Sequence, residues 1–108
     1  MANLPTVNPG DYKDRNGPMS ARERGVEISQ VMGAIAAAGL VNGVKYSTSE
    51  KRVIRLRVAG EMLGRKVKSF NDLTDPELRG VVATCIRCKH TVAEWLRGQD
   101  LGGAPVNG

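Results

Sequence analysis

Apolar residues recur at helical spacing through most of this chain, and the longest such run ends at Leu96. Its apolar positions are Leu78, Val81, Val82, Cys85, Cys88, Val92, Trp95 and Leu96, one continuous stripe. Arg79, Arg87, Lys89, Glu94 and Arg97 mostly take the other side. Thr74-Asp75-Pro76-Glu77 opens the run as a capping box, with Pro76 in the first turn and Leu73 placed to staple against Leu78. Asp75 and Glu77 put negative charge at the positive end of the helix dipole. Gly98 offers a left-handed stop. The pattern predicts a helix over 75–98, roughly 35 Å long at about 1.5 Å per residue. A helix that long needs other helices lying against it.

Two further helices are predicted. Ser20-Ala21-Arg22-Glu23 is a second capping box, opening a helix over 21–38 with Ile28, Val31, Met32, Ile35 and Ala36 on its apolar face. Gly39 followed by Leu40 fits a glycine stop. Ser47-Thr48-Ser49-Glu50 is a third box, opening a helix over 48–64. One apolar face there is Val53, Leu56, Ala59, Gly60 and Leu63; a second is Ile54, Val58 and Met62. Ile54-Arg55-Leu56-Arg57-Val58 also alternates with period two, and Asn42-Gly43 is a turn signal, so a hairpin over 44–58 is the competing expectation. The cap, the length and the Glu61-Met62-Leu63 continuation favour the helix.

These elements predict an all-α fold: a small bundle of three main helices over 20–98. Residues 1–19, punctuated by Pro5, Pro9, Gly10, Gly17 and Pro18, read as a flexible arm, and residues 99–108 as a disordered tail. Residues 64–72 form a basic loop with Val67 and Phe70 turned inward. At 108 residues the chain makes one domain. Burying so few aliphatic side chains barely offsets the ordering entropy. A homo-oligomer is therefore a natural outcome, joined through the Ala/Gly face at 33–39 or the Trp95 end of the long helix. No run reaches the roughly 20 apolar residues of a membrane span. The N-terminus does not read as a secretory signal, so a cytoplasmic location is expected.

Charge adds the one fact with functional content. The net charge is +5, and residues 40–70 carry eight bases against two acids. The excess therefore sits in one segment. Lys51, Arg52, Arg55, Arg57, Arg65, Lys66 and Lys68 are the candidate nucleic-acid-binding residues, each suited to a phosphate contact. With the segment helical, Lys51, Arg55 and Lys66 are expected near one edge and Arg57 elsewhere. Helix 48–64 has no Asn or Gln, the side chains best suited to adenine. A solvated positive face and an acidic protein partner are the other two readings of the same bases.

Other chemistry is poorly supplied. Cys85 and Cys88 form a C-x-x-C, with His90 two residues on. A structural zinc site takes four ligands, and only three soft candidates are present. Haem attachment needs histidine where Lys89 stands, and a thioredoxin-like motif needs a strand before the first cysteine. Buried thiols are the expectation, and no metal or cofactor. His90 has no defined nucleophile partner, and Gly60, Gly64 and Gly80 are wrongly spaced for a phosphate loop. The chain is not expected to be an enzyme.

The run Ser69-Phe70-Asn71-Asp72-Leu73-Thr74-Asp75-Pro76-Glu77-Leu78, preceded by a basic helix with a Ser/Thr cap, loosely resembles small helical accessory domains of phage recombination and replication proteins. The resemblance spans Ser49 to Leu96, under half of the chain. It implies an association with DNA metabolism in a phage or mobile element, in the cytoplasm of a bacterial host, with DNA ahead of RNA as partner. It carries no catalytic residues. A structural or adaptor role, in phage assembly or host-factor binding, is the alternative.

Overall fold

The structure, a computed structural model, describes residues 3–13 and 17–106. The described residues are mostly helical, with four α-helices among them: α1 (Ala21–Val41), α2 (Thr48–Leu63), α3 (Asp75–Arg87) and α4 (Lys89–Arg97). Two short strands, β1 (Val44–Lys45) and β2 (Ala104–Pro105), pair antiparallel. α1 packs on α3, α4 and α2, with Val31, Ile35, Ala38 and Gly39 buried on it.

All three capping boxes form. The Ser20, Ser47 and Thr74 side chains accept from the N–H of Glu23, Glu50 and Glu77, and each carboxylate accepts from the capping residue's own N–H. The hairpin over 44–58 is thereby excluded. Ile54, Val58, Ala59 and Met62 are the buried face of α2, and the strand at 44–45 pairs with the C-terminal segment instead.

The expected long helix is two helices. Cys88, at φ −113° and ψ 46°, breaks the run, although Val92 N–H still donates to the Cys88 carbonyl at 3.0 Å. Both halves lie on α1. After the bend, Val92, Ala93, Trp95 and Leu96 are buried on α4. The hydrophobic stripe is as expected, with Cys88 alone half-buried. Gly98 ends α4 at φ −88°, not left-handed.

α1 also overruns its expected stop. Gly39 is buried within the helix because a Cβ there would lie 2.8 Å from the Tyr46 ring and 2.9 Å from the Val44 carbonyl. The helix ends at Asn42, and Gly43 (φ 74°) makes the turn. Asn42 Nδ2 donates to the Ala93 carbonyl at 2.8 Å, tying this corner to α4.

The ends are packed where free segments were expected. Leu4 and Val7 belong to the core, and Val7 N–H donates to the Met62 carbonyl at 2.7 Å. A short 3₁₀ turn over Pro9–Tyr12 lies on α3. Gly80 makes room for it, since a Cβ there would collide with the Val7 side chain and sit 3.1 Å from the Tyr12 ring. At the other end Gly103 N–H donates to Glu50 Oε2 at 2.7 Å and Val106 N–H to the Gly43 carbonyl at 3.1 Å. The parts of the expected arm and tail at 1–2, 14–16 and 107–108 lie outside the described residues.

A single arginine organises the corner before α3. Arg24 Nη1 donates to Asp75 Oδ1 at 2.6 Å, while Nη2 donates to the Phe70 and Leu73 carbonyls at 2.9 and 2.8 Å. Asp75 Oδ2 accepts from Met19 N–H at 2.9 Å. One guanidinium thus joins α1, the Phe70–Asp72 turn and the start of α3. Charge counting along the sequence gives no sign of this role.

Candidate functional site

The seven candidate bases do not share one surface. At about 3.6 residues per turn, Arg52 and Arg57 project some 140° apart around α2. Lys51 and Arg55 lie beside the buried face and are both half-buried, whereas Arg52 and Arg57 are exposed. Lys66 and Lys68 are exposed in the loop that follows. Lys66 was expected beside Lys51 and Arg55; it lines the same groove as Arg57 instead.

Two of the seven are engaged within the fold. Arg55 places its guanidinium 5.0 Å from the centre of the Phe70 ring, a cation–π arrangement. Burial, and then the neighbouring Arg52 charge, lower its pKa. Its Nε is buried with no hydrogen-bond partner. Arg65 Nη2 donates to Glu77 Oε1 at 2.9 Å and Nε to Glu77 Oε2 at 3.1 Å, a bidentate pair. The Arg65 hydrogen bond is the main reason the Glu77 carboxyl is held below its usual range. A third, Arg57, makes only a weak contact, Nη2 donating to Gln99 Oε1 at 3.3 Å. Lys51, Arg52, Arg57, Lys66 and Lys68 have no ion pair among the described residues.

The outer side of α2 and the loop after it enclose an open groove of about 580 Å³, lined by Val53, Leu56, Arg57, Gly60, Glu61, Gly64, Arg65, Lys66 and Val67. Its construction follows from the two apolar faces of α2. Ile54, Val58 and Met62 enter the core, and the other face is left with Val53 54 % exposed and Leu56 half-buried. Gly64, left-handed at φ 67°, turns the chain sharply, and Arg65 N–H donates to the Gly60 carbonyl at 3.1 Å. Gly60 has to be glycine here, because a Cβ would sit 2.9 Å from the Arg65 carbonyl. The loop therefore folds back along α2 and delivers Val67, Arg65 and Lys66 to the groove. The result is an apolar floor with three cations and one acid, Glu61, around it.

The groove residues Val53, Leu56, Glu61 and Val67 were not singled out by the charge pattern. For Val53 and Leu56 the signal was present in the apolar face of α2 that they share with Ala59, Gly60 and Leu63: Ala59 is buried in the core, while Val53 stays exposed.

Cys85 is buried, and burial pushes its thiol up to about 12. No group of three or more His, Cys, Asp or Glu side chains suited to a metal ion occurs among the described residues. His90 is exposed on α4. Of the two surfaces suggested for self-association, Trp95 is buried, and Ala38 and Gly39 are covered within the chain. Gly33 and Ala37 remain exposed on α1, with Leu40 and Val41 beyond them. Among the described residues no helix is long and apolar enough to cross a membrane.

No family model, curated protein or solved structure matches the chain. Its own geometry is the basis for a functional assignment.

Proposed function

We propose that this chain is a non-catalytic adaptor that docks an acidic protein partner on the α2–loop face. The observation that carries this is the combination of an apolar floor, the exposed Val53 and the half-buried Leu56, with a cationic rim, Arg57, Arg65 and Lys66. A phosphate backbone is gripped through its charge and gains little from an apolar floor. A protein segment carries both kinds of group. The run at 69–78 supports a setting in phage or mobile-element biology, within a bacterial host.

Contact with nucleic acid is the second reading. It is supported by the net charge of +5 and by Arg52, Lys66 and Lys68, which are exposed with no ion pair among the described residues. Single-strand binding through stacked bases is less favoured. The Phe70 ring carries Arg55, and Tyr46 and Trp95 are buried, so these three rings form no stacking platform.

Salt-titrated binding to duplex DNA and to an acidic polypeptide separates the two. Phosphate contact by about five cations gives a log–log slope near −4 to −5 on duplex. The adaptor reading is supported by polypeptide binding that survives salt better than any duplex binding. Steep duplex binding together with no polypeptide binding would overturn it.

A further inference from the structure

We infer that the occupant of the α2 groove is an acidic amphipathic helix, packed side by side with α2. This rests on the adaptor reading and specifies its partner. Three features carry it.

The first is spacing. Val53, Arg57 and Gly64 lie along one side of the α2 segment at intervals of four and seven residues, while Gly60 between them faces the Arg65 carbonyl of the loop. Positions at this spacing form one seam along a helix, on which a second helix can lie at a shallow angle, about 8–10 Å between axes. Gly64 has no neighbouring atom within 4 Å of where a Cβ would stand, so the end of the seam is open to close approach.

The second is the backbone. The α2 wall of the groove presents side chains, because its N–H and C=O groups are paired along the helix. An extended segment laid on Val53 and Leu56 would find no ladder there and would leave its own backbone groups facing an apolar floor. A helical segment satisfies its backbone internally. From Val53 to Gly64 the seam is about 16 Å long, which some 11 to 14 residues of helix would cover.

The third is charge complementarity. Arg57 and Lys66 have no ion pair among the described residues, and the Arg65 side chain is 39 % exposed even while held by Glu77. Against them stand Glu61 and the Glu77 carboxylate that already pairs with Arg65. A partner helix with leucine-like residues on one stripe and carboxylates flanking it meets both the floor and the rim.

The probes are synthetic peptides of about 14 residues made of Leu, Ala and Glu. One has its leucines on a single helical stripe, one has the same composition with the leucines dispersed, and one is oligoglutamate. Duplex DNA is the fourth probe. Binding to the full chain is read by fluorescence anisotropy, and helix formation by circular dichroism of the mixture. The striped peptide is expected to bind and gain helicity, with the dispersed peptide at least about tenfold weaker. Val53→Ser and Arg57→Glu, both at exposed positions, are expected to weaken it about fivefold and tenfold, with unchanged thermal unfolding. Equal binding of the dispersed peptide or of oligoglutamate would overturn the helical occupant while leaving an acidic protein partner. Binding of DNA alone, or of none of the four probes, would overturn both.

Discussion

Arg65 holds Glu77 by two parallel hydrogen bonds, and the same Glu77 Oε1 accepts from the Thr74 N–H that caps α3. One carboxylate thus ends the loop after α2 and begins α3. The Arg65–Glu77 pair sets how the loop lies along α2 and so shapes the groove. It also explains why a count of bases overstates the charge offered to a polyanion. Arg65 already has its counter-ion, and Arg55 lies against Phe70.

The cap at α3 is expected to show in stability. Thr74→Ala removes the side chain that accepts from Glu77 N–H. A loss of about 1 kcal/mol is expected, read from chemical unfolding followed by the fluorescence of Trp95, the chain's single tryptophan. A change indistinguishable from zero would mean that the box contributes nothing.

Arg24 is expected to matter more than any surface arginine. Its side chain is 20 % exposed and donates to two carbonyls and a carboxylate. Lysine keeps the charge but not the fork. Arg24→Lys should therefore lose about 1–3 kcal/mol, and Arg24→Ala at least as much. If lysine is tolerated without loss, charge alone holds the corner.

Gly80→Ala tests the docked N-terminal segment. In a helix interior the exchange normally stabilises by about 1 kcal/mol. Here the methyl group meets Val7 and Tyr12. The variant should release residues 3–13, with faster tryptic cleavage after Lys13 and no gain in stability. A more stable, equally resistant protein would show that the segment does not press on Gly80.

Stability is expected to fall on the acid side. Asp75 is held low first by Met19 N–H and then by Arg24, Glu77 first by Arg65, and Glu50 first by Ser47 N–H. A carboxyl held below its ordinary value stabilises the fold above that value, and the contribution is lost as pH falls through the lowered one. The ordinary values are 3.8 for Asp75 and 4.5 for Glu77. Melting temperature should be nearly flat from about pH 7 to 5 and drop below about pH 4.5. Glu77→Gln should flatten part of the drop. A melting temperature independent of pH down to about 3 would contradict these shifts.

Much of the fold was legible in the sequence because capping boxes and apolar spacing are local signals. Ser20, Ser47 and Thr74 marked three helix starts, and the stripe from Leu78 to Leu96 marked the buried face of the last two helices. The break at Cys88 was not legible. No proline or glycine lies there, and the packing of α3 and α4 on α1 joins residues far apart in the chain. The docked ends were missed for a similar reason. Leu4 and Val7 are too few to make a period, and their place depends on the notch at Gly80. At the site, the bases of 51–68 were visible and helical spacing separated Lys51 and Arg55 from Arg57, but the course of the loop that carries Lys66 was not legible. Glu77 lies twelve residues from Arg65, and Phe70 fifteen from Arg55, so neither partner could be read from neighbouring positions.

The most direct test of the groove is a nuclear magnetic resonance titration of the full chain with the striped Leu/Glu peptide, following each backbone amide. The predicted result is a contiguous set of shifts at Val53, Leu56, Arg57, Gly60, Glu61, Lys66 and Val67, abolished by Arg57→Glu. Shifts centred instead on the exposed α1 positions Gly33, Ala37, Leu40 and Val41, or none at saturating peptide, would contradict it.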